Sequence, residues 1–215
     1  MNPAVLSLLV FGVMVGGVLL AVQRYEKRRR EAYAAYALMH GLTFTAACPG
    51  KEAGFSVIPM FDRGYRRTWR YEMRGSRGGV EFTAFEYVYV TGGGKSSQRH
   101  YQGVMLWRRP EGSWPNFVAA PESWFDRLLQ KMGTQDFDFA EDAAFSNAYK
   151  LQGGDEAAVR AVFDSGKRAY LAGHPGQHVA GTGDTLMWWR PGRLPPPDQL
   201  DQFIADGDGV RRVFF

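Results

Sequence analysis

The chain of 215 residues carries 26 Lys and Arg against 22 Asp and Glu, is 45% hydrophobic and contains one cysteine. That is enough for one domain with a proper core, and one cysteine excludes an intrachain disulfide framework. The net charge of +4 is unevenly spread: residues 1–120 hold 16 basic against 8 acidic side chains, and residues 121–215 hold 10 against 14. A nucleic-acid binder needs a basic face on the domain itself, so no nucleic-acid partner is expected. No internal repeat or low-complexity tract is present.

The run from Pro3 to Val22 contains no charged residue, and Ser7 is its only polar one. As a helix it would span roughly 30 Å, the thickness of a bilayer's hydrocarbon core. Arg24, Lys27, Arg28, Arg29 and Arg30 follow it at once. A secretory signal peptide has the reverse order, charge before the apolar run and small residues at a cleavage site after it. Residues 1–23 are therefore expected to form a retained, single-pass anchor. The basic run keeps residues from about 24 onward on the cytoplasmic side, with the N-terminus outside, in a bacterial inner membrane. Cys48, lone and unpaired, agrees with a reducing compartment. Gly12 and Gly16 form a GxxxG with Gly17 beside it, a small-residue face suited to packing against a second transmembrane helix. The basic run reads first as a topology determinant and second as a contact for anionic lipids.

Residues 24–41 read as a helical stalk that continues the membrane helix to Met39 and stops at His40-Gly41. Residues 42–215 read as the globular domain. The period changes toward two at Leu42, predicting strands at 42–46, 55–58 and 65–73. Strict alternation over 65–73 puts Tyr65, Arg67, Trp69, Tyr71 and Met73 on one face and Arg66, Thr68, Arg70, Glu72 and Arg74 on the other, the half-exposed strand of an antiparallel sheet. Residues 79–90 predict a longer strand, apolar on both faces and hence central. Glu86 shares a face with Phe82, Ala84 and Val88, so burial would demand a cationic or hydroxyl partner or else a raised pKa. Further strands are predicted at 99–108 and 116–120, a helix at 121–132 and an extended segment at 145–151. Asp155 caps a helix at 156–163. A hairpin follows at 178–190, then a helix at 198–205 and an apolar tail from Val210. Strands first and helices interleaved later predict an α+β fold with a mainly antiparallel sheet.

Gly92, Gly93, Gly94 and Lys95 stand where a phosphate loop would be sought. The Walker pattern requires a further glycine, where Tyr89 stands, and a helix afterwards, where residues 99–108 read as strand. A hairpin loop explains the glycines better. A ligand site built from Glu86, Gly92, Gly93, Gly94, Lys95 and His100 is kept as the alternative. His174 and His178 have the i, i+4 spacing of metal ligands, but Pro175 and Gly176 between them make a loop and no acidic residue or cysteine stands near. Neither a metal nor any other cofactor is expected.

The stretch Phe85-Glu-Tyr-Val-Tyr-Val-Thr-Gly-Gly-Gly-Lys95 resembles a Tyr-x-Tyr-x-Thr-Gly-x-Gly-Lys strand and loop found in uncharacterised bacterial proteins with one N-terminal membrane span. Residues 145–163 are similar to their later Phe-Ser-x-x-Tyr and Asp-Glu-x-x-x-Arg segment. The resemblance implies a membrane-anchored α+β domain and brings no known activity.

These features together predict a non-catalytic, membrane-anchored interaction protein, an accessory or structural subunit of a larger membrane complex. Its expected partners are the bilayer, other transmembrane subunits and anionic lipids. The rival readings are an enzyme or ligand binder using the Gly92–Gly94 loop, and a sensor of anionic lipid surfaces.

Overall fold

The structure is a computed structural model that describes residues 3–124 and 135–215, the side chains of residues 3–6, 8, 9 and 135 excepted. Helix α1 runs unbroken through Pro3–Met39. Its end is a Schellman turn, in which Gly41 takes φ 66° while Leu42 N–H donates to Ala37 C=O at 2.8 Å and Gly41 N–H donates to Leu38 C=O at 3.3 Å. Only glycine adopts that left-handed conformation without cost. Among the described residues no helix is long and apolar enough to cross a membrane. The described apolar side chains of the predicted anchor, Val10 to Val22, would span about 20 Å, and most side chains that open the run lie outside the described residues.

Among the described residues the strands form one antiparallel sheet of nine in the order β1-β2-β3-β4-β9-β8-β5-β7-β6. They are β1 (Thr43–Ala47), β2 (Tyr65–Arg77), β3 (Val80–Thr91), β4 (Gln98–Arg108), β5 (Trp114–Pro121), β6 (Gln135–Asp136), β7 (Tyr149–Gly153), β8 (His178–Gly183) and β9 (Thr185–Pro191). The further helices that lie wholly within the described residues are α2 (Pro59–Asp62), α3 (Ala143–Ala148), α4 (Glu156–Val162), α5 (Ser165–Gly173) and α6 (Pro197–Phe214). The chain is thus α+β with a mainly antiparallel sheet, as its patterning predicts.

Each face of the sheet has its own core. One is covered by the C-terminal part of α1 and by α3 to α6, with Tyr33, Phe145, Phe163, Leu200 and Phe214 packed on Met73, Phe82, Met105, Trp107 and Trp188. The other is closed around Trp69, Phe85, Tyr87 and Trp189 by Ile58, Met60 and Phe61 of the α2 segment. The strand predicted at 55–58 is therefore absent. Gly50 at φ 78° starts a 3₁₀ turn, Lys51–Phe55, and the apolar residues after it plug the second core.

Strand β2 departs from strict alternation. Its pairing to β3 slips by one residue between Tyr65 and Thr68 and again between Arg70 and Met73. Each slip is a bulge that changes which face the following residues meet, and Arg66 and Tyr71 take φ 51° and 55° within them. Trp69 consequently lies in the second core while Tyr71 and Met73 lie in the first. Glu72, predicted on an exposed face, is 1% exposed and bound by Lys51 Nζ at 2.6 Å and Arg74 Nε at 2.6 Å.

The end of the chain differs from expectation too. Residues 145–148, predicted extended, belong to α3, whose cap is Asp142, its side chain accepting from Phe145 N–H at 3.2 Å. Helix α6 does not stop at Ala205 but continues to Phe214, burying Leu200, Phe203, Ile204, Gly207, Val210 and Phe214 at helical spacing. Glycines within it hide the helix from propensity, yet Gly207 is where α6 meets the sheet. A methyl there would stand 2.6 Å from Met105 Sδ and 2.9 Å from the Trp188 ring. The helix predicted at 121–132 lies from Phe125 on outside the described residues; residues 122–124 are helical.

Overpacking at Gly207 has nowhere to go. Gly207→Ala is expected to lower unfolding stability by about 1–3 kcal/mol. Gly154→Ala, where a methyl meets nothing within 4 Å, serves as the control in the same denaturant titration.

Candidate functional site

Glu86 sits in the middle of β3, opposite Arg70 of β2 and Gly103 of β4, and is fully buried. Its Oε1 accepts from Arg70 Nε at 2.8 Å and Nη2 at 2.6 Å, a two-pronged guanidinium contact. Its Oε2 accepts from Arg29 Nη2 at 2.7 Å and from the Leu194 N–H at 3.0 Å. Sequence pattern marks Glu86 as a candidate for burial that would then need a cationic or hydroxyl partner or a raised pKa. The cation that answers comes from the basic run after the predicted anchor, which nothing local in the sequence indicates.

The rest of the site grows from Arg29. Its Nη2 also reaches Tyr33 Oη at 2.9 Å, and Tyr33 O–H donates to Leu194 C=O at 2.8 Å. The Arg29 guanidinium lies over the Tyr33 and Tyr71 rings, 5.3 and 5.1 Å from their centroids. One turn earlier on α1, Glu26 accepts from Tyr71 O–H, pairs with Arg70 Nη1 at 3.3 Å and faces Arg193 Nη1 at 3.6 Å. Arg193 stacks over Tyr101 at 4.2 Å. Farther along, Tyr36 O–H donates to Asp201 Oδ1 of α6 at 2.7 Å. Residues 26, 29, 33, 36 and 37 thus form one helical stripe turned to the sheet and to the β9–α6 link. Residues 24–41 are expected to project as a stalk; instead one stripe of them, from Glu26 on, is docked on the domain.

Tyr71 stands at the centre of this junction with its backbone in the left-handed region, a conformation that costs a non-glycine residue of order 1 kcal/mol or more. The contacts to Glu26, Arg29 and Tyr33 hold it there. Burial pushes the Tyr33 and Tyr71 hydroxyls up to about 12. Burial alone would raise the Glu26 carboxyl as well, but Tyr71, Arg70, Arg29 and Arg193 together hold it below the usual carboxylate range. Burial would likewise lower Arg29, and Glu86 outweighs it, so the guanidinium is held charged.

The basic run divides by helical phase. Arg29 is withdrawn into the domain, a correction to its expected place on the lipid surface, whereas Arg24, Lys27, Arg28 and Arg30 are exposed. Gly12, Gly16 and Gly17 face open space, with nothing within 4 Å of a methyl on any of them.

The residues of the alternative ligand site do not converge. Gly92, Gly93, Gly94 and Lys95 form the exposed tip of the β3–β4 hairpin, about 20 Å along the strand from Glu86. Gly94–Ser96 is a single 3₁₀ turn followed by strand, not helix. Its polar groups are turned on themselves, Ser96 Oγ donating to Gly93 C=O at 2.8 Å and Ser97 Oγ to Gly94 C=O at 3.0 Å. His100 is bonded to Thr91 Oγ1 at 2.7 Å and stacked on Tyr89. Among the described residues no group of three or more His, Cys, Asp or Glu is placed to hold a metal ion. His174 Nδ1 bonds Tyr170 C=O at 2.8 Å, and His178 is buried against Trp189. Cys48 is buried, which pushes its thiol up. An open groove of about 990 Å³ crosses the far end of the second face. Its cations Lys51 and Arg74 are engaged by Glu72, and Arg108 by Asp184.

Removing the carboxylate charge should release α1. Glu86→Gln leaves Arg29 and Arg70 short of a counter-ion in a buried site, at a cost of about 3–5 kcal/mol. Faster amide exchange across residues 29–39 would register the release; unchanged exchange there would show that the pair does not hold the helix. The acid limb has a definite sign. Glu26 and Glu72 are both held low, so their contribution is complete above the ordinary carboxylate range and is lost as pH falls through their folded values. Denaturant titrations at stepped pH should therefore show stability falling on acidification, with a shallower fall in Glu72→Gln than in the parent.

No family model matches the chain, and no curated protein matches it. Among solved structures, the crystal structure of the mycobacterial trehalose monomycolate transport factor A, TtfA, is similar, with a TM-score of 0.54 and 12% identity over 89% of this chain and 97% of that one. At that identity the likeness is one of fold.

Proposed function

We propose that the protein is a non-catalytic, membrane-anchored accessory subunit of a bacterial membrane assembly, with its N-terminus outside and residues from about 24 onward in the cytoplasm. The observation that carries this reading is the bare apolar surface of α1. Phe11, Val13, Met14, Val18, Leu19 and Leu20 are 57–75% exposed. A continuous apolar surface of this kind requires lipid or protein to cover it. The sequence supplies the rest of a span from Pro3, and the cations after Val22 set its orientation.

Four further points support an accessory role. The helix is unbroken from the apolar run into the docked stripe, so the domain is attached to the anchor without a flexible joint. The Gly12 and Gly16 face is free for another transmembrane helix. The similar structure is named as a transport factor, which favours a place beside a transport system. The resemblance to single-span bacterial proteins points the same way. A ligand site at the hairpin has less support, since Glu86, Lys95 and His100 are engaged separately or lie apart.

The test is gentle detergent extraction of the tagged full chain from its native membrane, followed by native electrophoresis and mass spectrometry. Co-migration with a defined larger complex, lost in the Gly12→Ile/Gly16→Ile variant, is the expected result. Migration as a monomer or small homo-oligomer, with no other membrane protein present, would overturn the proposal.

A further inference from the structure

The contacts of α1 with the sheet fix a direction. Glu26 meets Arg70, Tyr33 meets Tyr71, and Leu42 packs where a methyl on Gly75 would stand, 2.3 Å away. Helix α1 and β2 therefore run the same way, and β3, antiparallel to β2, heads back toward the apolar run. Arg193 marks a common level, stacked over Tyr101 at 4.2 Å and reaching Tyr25 at 5.9 Å, with Tyr101 paired to Val88. From that level the helix needs about 5 Å to reach Val22, whereas β3 continues for about 16 Å to Gly93. The hairpin tip projects at least as far as the plane where the apolar run begins.

The chemistry of that end matches the plane. Residues 92–99 are all exposed, and they include Lys95 and Arg99. Arg66, exposed in the first bulge of β2, is two residues from Thr68, and Tyr65 beside it pairs with Val90 and is 42% exposed. Among the described residues, no carboxylate lies within ion-pair distance of Arg66, Lys95 or Arg99. Asp62 is paired with Arg67 at 3.6 Å, Glu31 with Lys27 at 3.8 Å, and Glu26 with Arg70 and Arg193.

We propose that the β3–β4 hairpin tip and the start of β2 form a second foot of the domain, resting through Arg66, Lys95 and Arg99 on the anionic headgroups of the membrane that holds α1. The proposal rests on the anchored reading above. The glycines suit the role, because a tip without bulky side chains lies flat and presents its cations together. Cytoplasmic leaflets carry the negative surface potential that such cations meet, and Tyr65 adds an aromatic at headgroup depth.

The experiment places the full-length chain in lipid nanodiscs, one set of phosphatidylcholine alone and one with phosphatidylglycerol added, and follows amide exchange. Exchange across residues 92–99 is expected to be slower in the anionic discs by at least about fivefold, the worth of one basic residue near such a surface. The difference should vanish at high salt and in Arg66→Gln/Lys95→Gln/Arg99→Gln, while protection across residues 29–39 stays as in the parent. Insertion into both discs with equal exchange at 92–99 overturns the second foot and leaves the anchor standing. Failure to insert into either disc overturns the anchor, and the foot with it.

Discussion

A carboxylate buried in the middle of a strand is the constraint on which the arrangement depends. Glu86 has no exposure, so its charge must be met by cations inside the fold. Arg70 on the neighbouring strand meets one oxygen, and Arg29 reaches both, at 2.7 and 3.3 Å. Because Arg29 belongs to α1, the pairing fixes one turn of that helix against one residue of β3. The β9–α6 link is drawn in as well, since Leu194 gives its N–H to Glu86 and its C=O to Tyr33. A pair of this kind adds little net stability over an apolar one. It penalises any docking in which helix and strand slide past each other, because each slide would strand a buried charge.

Much of the fold was legible in periodicity. The long apolar strand at β3, the glycine hairpin after it, the Asp155 cap and the antiparallel α+β class follow from local pattern, and the structure bears them out. What was hidden depends on contacts distant in sequence. The two bulges in β2 each insert one residue, and alternation counted along the strand then assigns Tyr71 and Glu72 to the wrong surroundings. No turn residue announces them, for the left-handed positions are an arginine and a tyrosine rather than glycines. Helix α6 was cut short for the opposite reason. Gly207 and Gly209 signal a break when read locally, but Gly207 serves close contact with Trp188.

The candidate site was half legible. That Glu86 could be buried, and would then need a partner or a raised pKa, follows from its strand face; that the partners are two arginines does not. The basic run, read alone, gives all five residues the same two roles, topology determinant and lipid contact. Helical phase divides it, turning Glu26 and Arg29 inward with Tyr33 and leaving Arg24, Lys27, Arg28 and Arg30 outward. A run of like charges on a helix is a ring, and what a ring does depends on which sector is already occupied.

The absence of any break in α1 from Pro3 to Met39 has a consequence for orientation. At 100° per residue, the mean azimuth of residues 26, 29, 33, 36 and 37 lies about 90° from that of Gly12 and Gly16. Because the helix is stiff and its lower half is clamped, this angle is a property of the molecule rather than an average over a swivelling tether. A neighbour gripping the glycine face would stand beside the sheet, a quarter turn from it, and any rotation of the helix about its own axis would sweep the whole domain round with it.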